Sequence, residues 1–249
     1  MPRFYVSPES WNLDQPVLGP GESHHALDVL RMKTGERATI FNGKGAEATV
    51  EITGIEKHRI GLRTILKAKT APLSCRITLA QAIPKGKNME LIIEKATELG
   101  AAAVIPLLSD RTVVVLDEED AVKKQEKWQT VAIEACKQCG QNWLPEVQHP
   151  RSLKEFFNAN PRYDMMLIAS LQPGAQHFKS ILAAHIADHS SKPESVLILV
   201  GPEGDFTPAE ISLAIGSGCR PVTLGPIVLR TETAAIYCLG MLGYELLSA

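Results

Sequence analysis

From residue 73 onward, short apolar runs take turns with helical stretches, and this alternation limits the possible folds more than any other feature. The apolar runs lie at 77–83, 103–108, 165–169, 196–200 and 221–224. Helical periodicity covers 88–99, 120–139, 152–158, 176–188, 207–215 and 231–247. Strands that alternate with helices pair in parallel, and the resulting sheet is covered on both faces, which predicts an α/β fold. Ligands of such sheets bind beyond the carboxyl ends of the strands. The loops that follow the apolar runs are therefore where chemistry is expected.

Ahead of Pro72 the period is that of strands. Residues 37–42, 47–56 and 59–69 alternate apolar and polar side chains, with Ala48, Val50 and Ile52 on one face of the second run. Asn42-Gly43-Lys44-Gly45 between the first two is a hairpin turn. One short helix is expected over 22–30. Short strands joined by tight turns suggest a small β-barrel, so the chain divides into 1–72 and 73–249.

At 45% hydrophobic and 22% charged, the 249 residues can bury a real core. That excludes a disordered tail, a collagen and a small disulfide scaffold. No apolar run approaches the roughly 20 residues of a membrane span. The start, Met1 to Val6, lacks the apolar stretch of a signal peptide. The expected compartment is the cytoplasm, and an odd count of five cysteines suits reduced thiols. The net charge of −2 argues against a dedicated nucleic-acid binder when taken whole. Between Arg31 and Lys69, however, nine basic residues (Arg31, Lys33, Arg37, Lys44, Lys57, Arg59, Arg63, Lys67, Lys69) face only four acids (Glu36, Glu47, Glu51, Glu56). This stretch is either a phosphate-contacting face or a solvated strand surface.

Three loops stand out at strand ends. After 196–200 comes Gly201-Pro202-Glu203-Gly204-Asp205, followed by Thr207, Pro208 and Glu210, which together form a helix start with a capping box. The cap does not account for the glycines before it, which let backbone approach a ligand or simply make the turn. After 221–224 the chain reads Leu224-Gly225-Pro226-Ile227-Val228-Leu229-Arg230. Its apolar residues suit a pocket for a flat, partly apolar ligand. Arg230 precedes a helix capped by Thr231 or Thr233, where a cation opposes the helix dipole. An ion pair with Glu203 or Glu232 would offset that cost. The third loop, from Ser170 and Leu171 to Gly174, is weaker.

Other motifs carry less. Lys85 and Lys87 flank Gly86 before a helix and could meet phosphate. The spacings of a P-loop and of a dinucleotide fingerprint are absent. Cys136 and Cys139 share one helix face without a second pair at zinc spacing, so packing is the expected role and no metal is expected. Trp143 could stack on a base, but packing is again the simpler role.

Taken together, the chain resembles the bacterial 16S ribosomal RNA uridine-N3 methyltransferases, of the trefoil-knotted SPOUT class. The likeness runs from Arg3-Phe4-Tyr5-Val6, through His24-His25 to Arg31 and Lys85-Gly86 to Gly100, on to Glu134–Gln138. It ends in Gly201-Pro202-Glu203-Gly204 and Leu224–Ala234, which are highly specific in combination. The sequence departs from the family at Asn88-Met89, Gln141 and Asp205, where an Asp-Arg pair, an arginine and a glycine are common.

The resemblance implies an amino-terminal PUA-like β-barrel that binds RNA and a carboxy-terminal knotted α/β domain that binds S-adenosylmethionine. It also implies a homodimer and a substrate within the small ribosomal subunit. Adenine would lie among Leu224, Gly225, Ile227 and Leu229. Gly201, Pro202, Glu203 and Gly204 would wall the other side, with Ser170, Leu171, Thr231, Thr233 and Ala234 nearby. Arg230 is the first catalytic candidate, as the cation that favours the N3 anion of uracil. Glu232 or Glu203 would accept the proton or orient Arg230. RNA would be held by Arg3, His24, His25, Arg31, Lys33 and Lys85. The competing readings are a relative that methylates ribose 2′-O, a non-catalytic RNA-binding assembly factor, and a small-molecule α/β enzyme.

Overall fold

The structure, a computed structural model, describes residues 1–56, 59–114 and 116–247. Lys57 of the basic stretch lies outside these residues. Close contacts divide the chain into two units: Met1–Pro72 with Ile133–Leu144, and Leu73–Ala132 with Pro145–Ala249.

In the first unit, β1 (Arg3–Tyr5) runs parallel to β2 (Arg37–Phe41), and β2, β3 (Ala46–Glu56) and β4 (Arg59–Lys69) follow as an antiparallel series. Alternation buries Ala48, Val50 and Ile52 in one core with Phe4, Ala26 and Ile40. The hairpin falls at the expected place, with Gly43 and Gly45 at φ +69° and +86°. The single helix expected over 22–30 is instead a short α1 (Pro20–His24) that widens into a π-type turn over His25–Val29. Ile133–Leu144 closes this unit through polar contacts. Lys137 Nζ, nearly buried, lies 3.0 Å from Glu22 and 2.9 Å from Glu134.

The second unit carries one sheet in which every pairing is parallel. It contains β5 (Arg76–Ala82), β6 (Ala103–Leu108), β7 (Glu146–Val147), β8 (Arg151–Ser152), β9 (Met165–Ala169), β10 (Ser195–Val200) and β11 (Arg220–Val222). Their order is β11-β9-β10-β5-β6-β7, with β8 also on β6. Between them run α2 (Asn88–Glu98), α3 (Glu118–Cys139), α4 (Leu153–Asn158), α5 (Phe178–His189) and α6 (Pro208–Gly216), with α7 (Thr231–Leu246) last. Because side chains alternate along a strand, Ala80, Ala82, Leu197 and Leu199 pack toward α4 and α6. Ile77, Leu79 and Gln81 alternate with them and are wholly buried, and α7 packs on β5 and β10. Thr207 and Glu210 form the expected capping box that starts α6.

Among the described residues no helix is long and apolar enough to cross a membrane, and no cluster of ligating side chains could hold a metal ion. All five cysteines are free, and Cys139 alone is exposed. Burial pushes the Cys75 thiol up to about 11 and those of Cys136, Cys219 and Cys238 up to about 12. Since the thiolate is the reactive form, iodoacetamide at neutral pH is expected to label Cys139 alone in the folded chain and all five thiols after denaturation. Peptide mass spectrometry reads the difference.

Candidate active site

β11, β9, β10 and β5 lie side by side, and the chain beyond their carboxyl ends lines one cleft of about 480 Å³. That volume is in the range of small-molecule sites. Ser170 and Leu171 follow β9. Gly201, Pro202, Glu203 and Asp205 follow β10. Leu224, Ile227, Leu229 and Arg230 follow β11, and Thr231, Glu232 and Ala234 open α7. Three expected residues are not among the lining ones: Gly204, Gly225 and Thr233. Val228, part of the apolar stretch expected to suit a pocket, lines it too, and four unexpected residues join: Asn88, Ala169, Val200 and Asp205. Asn88 was legible in principle, because it opens the helix after a strand whose end faces the same cleft.

The 201–205 loop is held tight. The Asp205 N–H donates to Pro202 O at 2.9 Å, and Asp205 sits in the left-handed region at φ +60°. Aspartate tolerates this conformation better than most residues, and its Oδ1 accepts the Phe206 N–H at 2.7 Å. A Cβ on Gly201 would meet that Oδ1 at 3.1 Å and the Phe206 nitrogen at 3.2 Å, so glycine lets the loop fold closely on itself. Outside the loop, Arg111 Nη1 donates to Gly204 O at 2.6 Å and the Lys85 N–H donates to Glu203 Oε1 at 3.0 Å.

The second loop turns at Gly225, whose φ of +107° no L side chain adopts without strain. Ile227 and Val228 are then 72% and 73% exposed. α7 begins at Thr231, with Arg230 in the capping position and no side-chain cap. This corrects the expected cap by Thr231 or Thr233. The Thr231 hydroxyl is spent elsewhere, donating to Gly201 O at 2.7 Å, and Thr233 is exposed. Neither anticipated ion pair to Arg230 forms among the described residues. Glu203 takes the Lys85 amide, and Glu232 Oε2 accepts from Asn88 Nδ2 at 3.3 Å. The Arg230 cation thus stays exposed at the positive end of a helix dipole, an unfavourable place for it.

The residues expected to meet RNA divide in two. Lys85 is exposed in the turn ahead of the second unit's α2. In the first unit, His24, Arg31 and Lys33 are exposed, with His24 Nδ1 2.7 Å from Asp28 and Arg31 at φ +54°. Arg3 and His25 are instead engaged internally. Arg3 reaches Glu47 at 3.1 Å and Asn142 Oδ1 at 2.7 Å and lies over the Phe41 ring, and His25 Nδ1 is 3.3 Å from Lys137 Nζ.

A parallel sheet with a strand-end cleft of this kind is the layout of an α/β domain that binds a small molecule. The RNA methyltransferase domain family matches residues 71–243, and the RNA methyltransferase PUA domain matches residues 18–64. The chain belongs to the ribosomal RNA small subunit methyltransferase E family. It is 34% identical to the member so named from Bacillus subtilis over 90% of this chain and 88% of that one. The Synechocystis member is 32% identical over 96% of this chain and 76% of that one. Among solved structures, the Neisseria gonorrhoeae member bound to S-adenosyl methionine aligns with a TM-score of 0.84 at 32% identity, covering 98% of both chains. A Legionella pneumophila structure with bound cofactor SAM aligns at 0.87 and 36% identity, covering 98% of this chain and 97% of that one.

Proposed function

We propose that this chain transfers a methyl group from S-adenosylmethionine to N3 of a uridine in 16S ribosomal RNA. The observation that carries the reading is the convergence of Arg230, Glu232 and the Gly201 loop on one cleft. The cleft also fits the cofactor. Leu224, Ile227 and Leu229 offer apolar walls to a flat base, and Glu203 and Asp205 offer carboxylates to hydroxyl and ammonium groups.

Bound there, S-adenosylmethionine supplies a methyl group on a sulfonium leaving group, so the protein needs no covalent nucleophile. What remains is orientation and the N3 proton. Arg230, unpaired among the described residues, presents its guanidinium to the uracil edge and stabilises the anion that loss of the proton creates. Glu232 lies two residues further along α7, its carboxylate is steadied by Asn88, and it accepts that proton.

In this proposal residues 1–72 form a PUA-like barrel that holds RNA backbone through His24, Arg31 and Lys33, in a salt-dependent way. Residues 73–249 form a SPOUT domain with its trefoil knot. The chain acts as a homodimer in this proposal, and exposed Ile227, Val228, Tyr237 and Tyr244 are apolar side chains that a partner could cover. The target base must leave its stack to reach the cleft, and a small ribosomal particle supplies the shape that a modest net charge does not. A ribosomal substrate places the reaction in the cytoplasm.

The test is tritium transfer from labelled cofactor to small subunits of a strain lacking this gene, with naked 16S RNA alongside. Label recovered as 3-methyluridine supports the reading. Label on ribose 2′-O would replace the target, and cofactor binding without any label would reject RNA methylation at this site.

A further inference from the structure

We infer that Gln81 is a positioning residue for methyl transfer, acting through the Thr231 hydroxyl to hold the first turn of α7 against the Gly201 loop. The inference rests on the proposed cleft chemistry and concerns a residue that does not line the cleft. Gln81 sits in β5 and is wholly buried among Ile77, Leu79 and the residues under α7. Its amide nitrogen has two hydrogens. The shortest contacts are to Ala82 O at 2.8 Å and Thr231 Oγ1 at 3.0 Å, with Val200 O further off at 3.4 Å. Thr231 then passes its one hydroxyl hydrogen to Gly201 O at 2.7 Å.

The polarity of this relay is fixed by chemistry. A hydroxyl that accepts from an N–H on one side must point its own hydrogen elsewhere, and here the acceptor is the carbonyl that opens the cofactor loop. The relay therefore ties three elements, β5, the loop after β10 and α7, at the point where α7 presents Arg230 and Glu232. It has a cost as well. Among the described residues Gln81 Oε1 is buried without a hydrogen-bond partner, and an orphaned buried acceptor destabilises a fold. A leucine of similar size would fill the same space without that penalty. An amide here weakens the core, which fits a role in the site rather than in packing.

Four full-length variants test this: Gln81→Leu, Thr231→Val, Thr231→Ser and the double Gln81→Leu/Thr231→Val. Gln81→Leu should melt no lower than the parent, yet raise the Kd for S-adenosylmethionine by calorimetry, and its KM, roughly tenfold, with a smaller change in kcat. Thr231→Val should do the same, Thr231→Ser should restore parental binding, and the double should be no worse than the poorer single. Hydrogen exchange at the Ala234 amide, which donates to Arg230 O at 2.8 Å, should quicken in Gln81→Leu without any cofactor present.

Parental Kd and exchange in Gln81→Leu would overturn the inference, as would single effects that multiply in the double. If Gln81→Leu does not fold, parental binding by Thr231→Val overturns it equally. A parent chain that binds cofactor but methylates no RNA would reject the proposed function alone, and the Kd and exchange readouts would still judge Gln81.

Discussion

Arg230→Ala is expected to lower the kcat of methyl transfer by a factor of about 10²–10³ while the chain folds as stably as before or slightly more so. The two halves of this result come from separate observations. Arg230 lines the cleft and has no carboxylate partner among the described residues, so its cation is available to a developing negative charge. It also occupies the capping position of α7, where a positive charge opposes the dipole. Removing it should relieve about 0.3–1 kcal/mol at low salt. A residue kept for structure would show the opposite pairing, with activity lost because stability is lost.

The pH profile sharpens the test. If Arg230 stabilises the N3 anion, its removal makes N3 less acidic in the cleft, and the variant's residual rate should keep climbing with pH where the parent's has levelled off. Arg230→Lys should recover part of the rate, since it restores charge without the planar fork. Equal rates for Arg230→Ala and the parent in single-turnover methylation of small subunits would remove Arg230 from the chemistry. A matched loss of melting temperature would make its role structural.

Much of the second unit could be read in the residues because both of its signals are local. Apolar runs of strand length separated by helical periodicity bring out β5, β6, β9, β10, β11 and every helix between them within about two residues, the uncertainty expected of element ends. What the reading missed depends on distant partners. β1 is three residues, too short to alternate, and exists because it lies parallel to β2 from residue 37 onward. β7 and β8 are two residues each, paired to β6. The grouping of Ile133–Leu144 with the first unit rests on contacts such as Arg3 to Asn142 and Lys137 to Glu22, more than 100 residues apart in sequence. No periodicity reports such contacts.

The cleft shows the same division. Gly201 and Arg230 are legible because a glycine after an apolar run and a cation at a helix start are locally unusual. Gln81 was not, because a polar residue inside an apolar strand reads as an interruption until the strand's neighbours are known. The role of Thr231 was misassigned for a related reason. A threonine at a helix start ordinarily caps its own backbone, and only the approach of the 201–205 loop draws its hydroxyl away.

Gly45→Ala is expected to cost the first unit about 4 kcal/mol, a value in the range reserved for severe packing and backbone defects. The backbone contributes first. Gly45 sits at φ +86°, where an L side chain costs about 1 kcal/mol or more. Sterics contribute more. An added Cβ would lie 2.6 and 2.7 Å from two atoms of the Trp143 ring and 2.8 Å from Thr70 O. None of these neighbours can withdraw cheaply. The Trp143 indole N–H donates to Thr70 O at 3.1 Å, which fixes the ring. Gly45 cannot move either, because its N–H donates to Asn142 O at 2.9 Å and its carbonyl accepts the Thr70 N–H at 2.8 Å.

Trp143 is thus a packing residue of the hairpin, and the glycine is what lets the 142–144 segment close on the sheet. Urea unfolding followed by tryptophan fluorescence and by amide exchange in β2 and β3 should show the loss. In a Trp143→Ala background the same substitution should cost substantially less, because the ring clash is gone and the positive φ and the Thr70 contact remain. A double-mutant cycle with no coupling between the two positions would sink this account.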